Sequence, residues 1–296
     1  MGLVLALGAL LTAVPAAAVA WTAWRVTRRP YDHPGAYLRR RTRPASALLC
    51  LGDSITHGHI GADWVGSVRT ACLPHGIGVV NAGVNGDLAW NLLHRLPAAL
   101  AVQPRAAVLL VGTNDAMGAH LESRGQDYAT KKKLPELPTL ANYEANLRAV
   151  LERLTSDVER VAVCTLPPLG EDPDADPSHA HDAVVRRLAD EFGATLLDVR
   201  ATLAELHPAP GRPYVGEIEV VGRRMIGAIV RHYLGGRSWD RIADSTGQAA
   251  FVDTIHLADR AAARVAALVQ GFVLATSETT DPAGCSGSPG RSPRTR

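Results

Sequence analysis

The chain has 296 residues, of which 47% are hydrophobic and only 5% aromatic, enough apolar side chain for one domain with a sizeable core. Its 31 basic and 29 acidic residues leave a formal charge of +2, so no global field points to a nucleic-acid partner. Four cysteines are too few and too scattered for a disulfide framework; Cys50 and Cys164 fall in apolar runs, where a free buried thiol is the usual state.

From Leu3 to Trp24 no side chain is charged, and Trp21 and Trp24 close the run where indole rings favour a membrane interface. A helix of roughly 20 residues spans the hydrocarbon core of a bilayer, so residues 1–27 are expected to form a single-pass anchor, kinked at Pro15. A cleaved secretory signal and a segment outside any membrane are the alternatives. Ala16–Ala20 carries small residues spaced for cleavage, but no basic segment precedes the apolar core. Arg25, Arg28, Arg29, Arg39, Arg40, Arg41 and Arg43 follow the run. By the positive-inside rule they place the next domain on the cytoplasmic side. Residues 28–44, with Pro30, Pro34 and Pro44, read as a basic linker, solvated or lying along anionic headgroups.

Ala45–Leu51 is a short apolar run stopped by Gly52, a buried first strand. Gly76–Asn81, Ala106–Val111, Val161–Thr165 and Ala194–Val199 follow as strands. Helices are expected at Ala62–Leu73, Leu88–Leu96, Leu140–Leu154, Ala183–Phe192 and Ala261–Leu274, with Asp87 as the N-cap before Leu88. This alternation predicts an α/β fold, a three-layer α/β/α sandwich on a central parallel sheet of about five strands. Right-handed crossovers then bring every strand C-terminus to one edge, where the active sites of open α/β sheets lie. The domain is expected over 45–275, followed by a Ser-, Gly-, Pro- and Thr-rich tail, 276–296, too poor in apolar residues to fold. Met117–Pro138, with Lys131, Lys132 and Lys133, and Glu205–Ala250 do not fit the minimal pattern. Both emerge near the active edge and are candidates for a lid or substrate wall; the lysine run is most simply solvated.

Four motifs meet at that edge. Gly52-Asp53-Ser54-Ile55 puts a serine on a strand-to-helix turn, where its hydroxyl stands above the sheet and its N–H can face an oxyanion. Asn81-Ala82-Gly83-Val84-Asn85-Gly86 ends the second strand, where a glycine allows close backbone approach. Gly112-Thr113-Asn114-Asp115 offers a carboxamide after the third. Asp253-Thr254-Ile255-His256 sets a carboxylate and an imidazole three residues apart, so that Asp can fix the His tautomer.

Together these blocks resemble the GDSL, or SGNH, hydrolase superfamily, whose signature residues Ser, Gly, Asn and His occur in this order. The resemblance covers roughly Ala45 to Leu274 and implies the flavodoxin-like fold of those enzymes. It implies a serine esterase or lipase-like enzyme with Ser54 as nucleophile, His256 as base and Asp253 as its partner. The oxyanion hole would come from Ser54, Gly83 and Asn114. Neither metal nor organic cofactor is implied. Acyl donors in the family range over lipid esters, thioesters and acetylated sugars. The low aromatic content and the expected anchor tilt the substrate toward lipid or small hydrophobic esters. Acyl transfer to another alcohol would use the same residues, and a catalytically inactive scaffold would have no use for an intact motif set.

Other residues have blander readings. Asp53 is expected to hydrogen-bond locally and Asp115 to cap or hold a loop. His57 and His59 have no paired carboxylate nearby in sequence. His179 and His181 read as solvated rather than metal-ligating. Gly83-x-x-Gly86 lacks the remainder of a dinucleotide fingerprint.

Overall fold

The near-continuous burial of the apolar runs sets the architecture in the computed structural model, which describes residues 17–170, 172, 175–206 and 216–275. Five parallel strands, β1 (Ser46–Gly52), β2 (Ile77–Gly83), β3 (Ala106–Leu110), β4 (Arg160–Cys164) and β5 (Thr195–Leu197), pair in the order β2-β1-β3-β4-β5. Around them lie α1 (residues 17–27), α2 (Pro34–Leu38), α3 (Ser54–His57), α4 (Trp64–Cys72), α5 (Ala89–Leu100), α6 (Thr113–His120) and α7 (Glu122–Lys132). They are followed by α8 (Leu140–Asp157), α9 (His179–Glu191), α10 (Val199–Ala204), α11 (Ile218–Tyr233), α12 (Trp239–Ser245) and α13 (Asp259–Leu274).

Alternate strand residues feed two separate cores. Leu48, Cys50, Val108 and Leu110 pack with Val65 and Val68 of α4 and Val265 and Val269 of α13. Leu49, Leu51, Leu109 and Val163 face the other way, onto Leu92 and Leu96 of α5, Leu147 and Leu151 of α8 and Leu188 of α9. Each fully buried leucine contributes about 1.5–3 kcal/mol. This is the expected three-layer sandwich. Because β1 lies between β2 and β3, the chain leaves it in one direction and returns on the other side. The crevice this opens sits at the C-terminal ends of β1 and β3.

The two stretches outside the minimal pattern are helical. Residues 113–132 form α6 and α7, and the described part of 205–250 holds α11 and α12. The expected tail, 276–296, lies outside the described residues.

The membrane expectation is corrected. Among the described residues no helix is long and apolar enough to cross a membrane. Residues 1–16 of the apolar run lie outside the described residues. The part that is described, α1, lies against the domain instead. Thr22 is buried, Trp21 meets Tyr233 of α11 edge-on with ring centroids 6.1 Å apart, and the Arg25 guanidinium sits 5.3 Å from the centre of that tyrosine ring. The carbonyl of Val26 accepts a hydrogen bond from Asn85 Nδ2 at 2.8 Å. Within α1 only Thr22 is buried; Val19, Trp21 and Trp24 stay exposed, so the described part of the apolar run touches the domain along one face only. The single-pass, cytoplasm-facing topology goes with the anchor.

Candidate active site

The first strand ends in a turn that admits only glycine. A Cβ on Gly52 would fall 2.3 Å from the Leu110 carbonyl and 2.2 Å from Thr56 Oγ1. Asp53 then caps α3, its Oδ1 accepting from the Ile55 N–H at 2.9 Å, which is the local role expected of it. Burial pushes the Asp53 carboxyl up to about 7, opposed by that N–H and by His256, and assisted by the nearby charge of Asp87. Ser54 is the first residue of α3, so its own N–H has no intrahelical acceptor.

The chain returns to this point through a loop closed by an antiparallel bridge between Phe251 and Leu257. Within it, Asp253 Oδ1 accepts from the N–H groups of Ile255 (3.1 Å) and His256 (2.8 Å). Thr254 is held at φ +88°, a left-handed conformation unusual for a β-branched residue, with its N–H donating to Gln248 Oε1 at 3.2 Å. The carboxylate thus shapes the turn with one oxygen and holds the imidazole with the other. His256 Nδ1 lies 2.7 Å from Asp253 Oδ2, and His256 Nε2 lies 2.9 Å from Ser54 Oγ. In the neutral ring, Nδ1–H donates to the carboxylate and Nε2 accepts from the serine hydroxyl. All three side chains are buried. Burial alone would push the imidazole down, but the charge and hydrogen bond of Asp253 overcome it, and His256 ends above its ordinary value. Burial likewise works to raise Asp253; His256 and the two backbone N–H groups bring it below the usual carboxylate range.

Asn114, the second residue of α6, reaches the same crevice. Its Nδ2 donates to the Asp87 carbonyl at 2.9 Å and lies 3.4 Å from Asp53 Oδ2, while its Oδ1 accepts from the Tyr128 hydroxyl at 2.6 Å. The carboxamide is therefore fixed in plane, with one hydrogen of Nδ2 committed and the other only weakly engaged. Sequence reasoning missed Tyr128; it lies on α7, in the stretch that carried no periodic signal.

Gly83, expected to supply an oxyanion donor, already has a hydrogen-bond partner. Its one N–H donates to Asn81 Oδ1 at 2.9 Å, and the other end of that carboxamide donates to the Thr56 carbonyl at 2.8 Å. A Cβ on Gly83 would fall 2.2 Å from the His57 nitrogen. The glycine is needed so that β2 can approach α3, and its N–H is already spent. Three residues on, Gly86 holds φ +73°, and its N–H has no acceptor among the described residues.

Asp87 is not the cap of α5. That helix begins at Ala89, whose N–H donates to the Asp115 carboxylate at 3.1 Å, so Asp115 takes the capping role. Burial pushes Asp115 up to about 7. Asp87 is turned instead between Lys132 Nζ (2.9 Å) and Arg95 Nε (2.7 Å).

His57 and His59 pack edge-to-face, ring centroids 4.4 Å apart. No carboxylate faces either ring among the described residues. Burial, with the neighbouring positive groups, pushes His57 down to about 3 and His59 to about 4. His179 opens α9, and His181 is buried 5.0 Å from the Tyr143 ring rather than solvated. Among the described residues no group of His, Cys, Asp and Glu side chains is placed to hold a metal ion.

A hydroxyl bonded to an imidazole, itself bonded to a buried carboxylate, is the arrangement through which an imidazole removes a hydroxyl proton. The GDSL-like Lipase/Acylhydrolase family matches the chain over residues 50–216. Among curated proteins none matches. Among solved structures, a catalytic mutant of Axe2, an acetylxylan esterase from Geobacillus stearothermophilus, shares 19% identity. It is similar over 79% of this chain and 97% of its own, with a TM-score of 0.53. A second Axe2 mutant, described as an acetyl-xylooligosaccharide esterase, shares 18% identity over 79% and 96% of the two chains, with a TM-score of 0.55. The acetyl xylan esterase AlAXEase shares 19% over 77% and 99%, with a TM-score of 0.50. At these identities the likeness is one of fold.

Proposed function

Because the chain belongs to the GDSL-like Lipase/Acylhydrolase family and is an ester-hydrolysing enzyme, we propose that it works through an acyl-enzyme on Ser54. The single observation that carries this reading is the chain of contacts Ser54 Oγ–His256 Nε2 at 2.9 Å and His256 Nδ1–Asp253 Oδ2 at 2.7 Å. Ser54 Oγ bonds to the ester carbonyl carbon as its proton passes to Nε2. The tetrahedral intermediate collapses with loss of the alcohol oxygen, which takes the proton back from His256. Water then attacks the acyl-enzyme, giving its proton to His256, and the carboxylic acid leaves as Ser54 Oγ is reprotonated. Asp253 holds the productive tautomer and stabilises the imidazolium.

The oxyanion donors in this reading are the Ser54 N–H, the Asn114 amide and the Gly86 N–H, which takes the place expected of Gly83. His256 lies beyond the residues that match the family, so the catalytic domain is read as extending to residue 275. The tilt toward lipid or small hydrophobic esters loses its support from an anchor and keeps only the low aromatic content, 5% of residues. Ser54 is only 7% exposed, which supports small acyl groups, as does the likeness in fold to acetylxylan esterases.

The full-length protein is expected to hydrolyse p-nitrophenyl acetate and to be labelled by a fluorophosphonate. Ser54→Ala should abolish both. Labelling that survives this substitution would mean that another nucleophile does the work.

A further inference from the structure

The middle lysine of the run 131–133 does not behave as a solvated charge. Lys131 pairs with Asp127 on the surface of α7, but Lys132 crosses to the loop between β2 and α5. Its Nζ donates to the Asn85 carbonyl and to Asp87 Oδ1, and its side chain is 21% exposed. Its stem lies on Gly86: a Cβ added there would be 3.0 Å from Lys132 Cε. The Lys132 carbonyl accepts from Asn91 Nδ2 at 3.1 Å, so the end of α7 is tied to α5 as well.

The Asn85 carbonyl and the Gly86 N–H are the two ends of one peptide unit. In a trans peptide they point in opposite directions. An ammonium bonded to the Asn85 oxygen therefore fixes where the Gly86 N–H points. It also withdraws electron density from that peptide, which strengthens the N–H as a donor. The same ammonium holds Asp87, whose carbonyl receives Asn114 Nδ2 at 2.9 Å. Two of the three oxyanion donors thus depend on one side chain that does not itself reach the serine. The loop is braced from other directions too. Val84 N–H donates to the Gly52 carbonyl at 3.1 Å, Arg95 spans Asp87 and Gly52, and Asn85 Nδ2 reaches α1. Among the described residues, Lys132 is the charged side chain that bonds to the Asn85–Gly86 peptide.

We propose that Lys132 is a positioning residue that orients and polarises the Asn85–Gly86 peptide for oxyanion binding. This rests on the reading of Ser54 as nucleophile and Gly86 as donor.

The test compares Lys132→Met, Lys132→Arg and Lys131→Met in the full chain. With p-nitrophenyl acetate, Lys132→Met should lower kcat about ten- to hundredfold while KM stays within about threefold. An aryl boronic acid supplies a second readout. The Ser54 oxygen bonds to boron as its proton passes to His256, giving a tetrahedral anion that mimics the intermediate. Its affinity should fall by the same factor as kcat. Lys132→Arg should recover part of both losses, and Lys131→Met should change neither. A folded Lys132→Met with wild-type kcat overturns the proposal, as does a kcat loss without a matching loss of boronate affinity. If Lys132→Met does not fold, Lys132→Gln keeps a donor without the charge; unchanged boronate affinity in that variant overturns polarisation. A wild type without Ser54-dependent turnover would sink the underlying reading, and it is distinguishable from an active wild type matched by Lys132→Met.

Discussion

Three histidines lie within or against the turn that carries Ser54, and the protein treats them in opposite ways. His57 and His256 are both almost wholly buried, 4% and 5% exposed. Burial disfavours the charged form of each equally in kind. His256 faces a carboxylate at 2.7 Å and has Asp53 nearby, so its proton is held above the ordinary value. His57 faces His59 and Arg28, and falls to about 3. The difference teaches that closeness to the nucleophile in sequence says little about a base. What matters is the charge on the far side of the ring, and here that charge comes from the same four-residue turn as the base itself. His57 is three residues from Ser54; the residue that reaches Oγ is 202 away.

The sharpest way to break this contrast is to remove the ring that should matter. His256→Ala is expected to lower kcat/KM for p-nitrophenyl acetate by about 10⁴-fold or more. A loss under tenfold would show that the contact with Ser54 is not used. Asp253→Asn should cost about 10³- to 10⁴-fold, because the amide can favour the wrong tautomer and no longer balances the imidazolium. That variant loses acceptors for the turn N–H groups as well, so its melting temperature should be followed alongside.

The pH profile refines the same comparison with a smaller effect. His256 must be neutral to accept the serine proton, and its value in the folded protein is raised. Activity should therefore be full on the alkaline side and fall on acidification with a midpoint above 6.5. In Asp253→Asn the main raising influence is gone while burial remains, so the midpoint of the residual activity should move down. A midpoint that moves up, or stays, would assign the limb to another group; Asp53, near 7, is the first candidate.

What could be read in advance follows the same logic. Ser54 and Asn114 follow apolar strands, and the strand–helix alternation brings such positions to one edge; Asp253 and His256 were matched to that edge by the resemblance of the four ordered motifs to the GDSL family. The sheet was legible because its five runs are continuous and small-aliphatic. Which glycine keeps a free N–H was not, because that depends on the Asn81 carboxamide folding back onto Gly83. Nor was the cap of α5. Asp87 is drawn away by Lys132 and Arg95, and Asp115 arrives from a different strand end. Helices α6 and α7 gave no apolar period because what α6 buries includes Thr113, Asn114 and Asp115, polar groups serving the crevice rather than a core. The N-terminal run misled because hydropathy counts apolar residues without regard to helix length; the described helix α1, residues 17–27, is too short to span and meets the domain through Trp21 on Tyr233.

The smallest expected effect concerns the ring that catalysis should ignore. His57→Phe replaces the imidazole by a ring of similar size, and its hydrolytic rate should stay within about threefold of wild type. Its stability should respond to acid differently. The His57 value lies near 3 when folded against an ordinary 6.5. Between those limits the unfolded chain binds a proton that the folded chain refuses, so stability falls as pH falls through that window. Above 6.5 neither state is protonated at this ring, and the contribution is level. The phenylalanine variant has no such proton to take up. Its loss of stability between pH 6.5 and the acid limit should be shallower than that of wild type, though not absent, since His59 and His181 are also depressed to about 4. Chemical denaturation at a series of pH values measures the two slopes directly. Parallel curves would show that His57 is not held neutral by its surroundings. A rate loss beyond a hundredfold would give the ring a part in the chemistry that only His256 is expected to have.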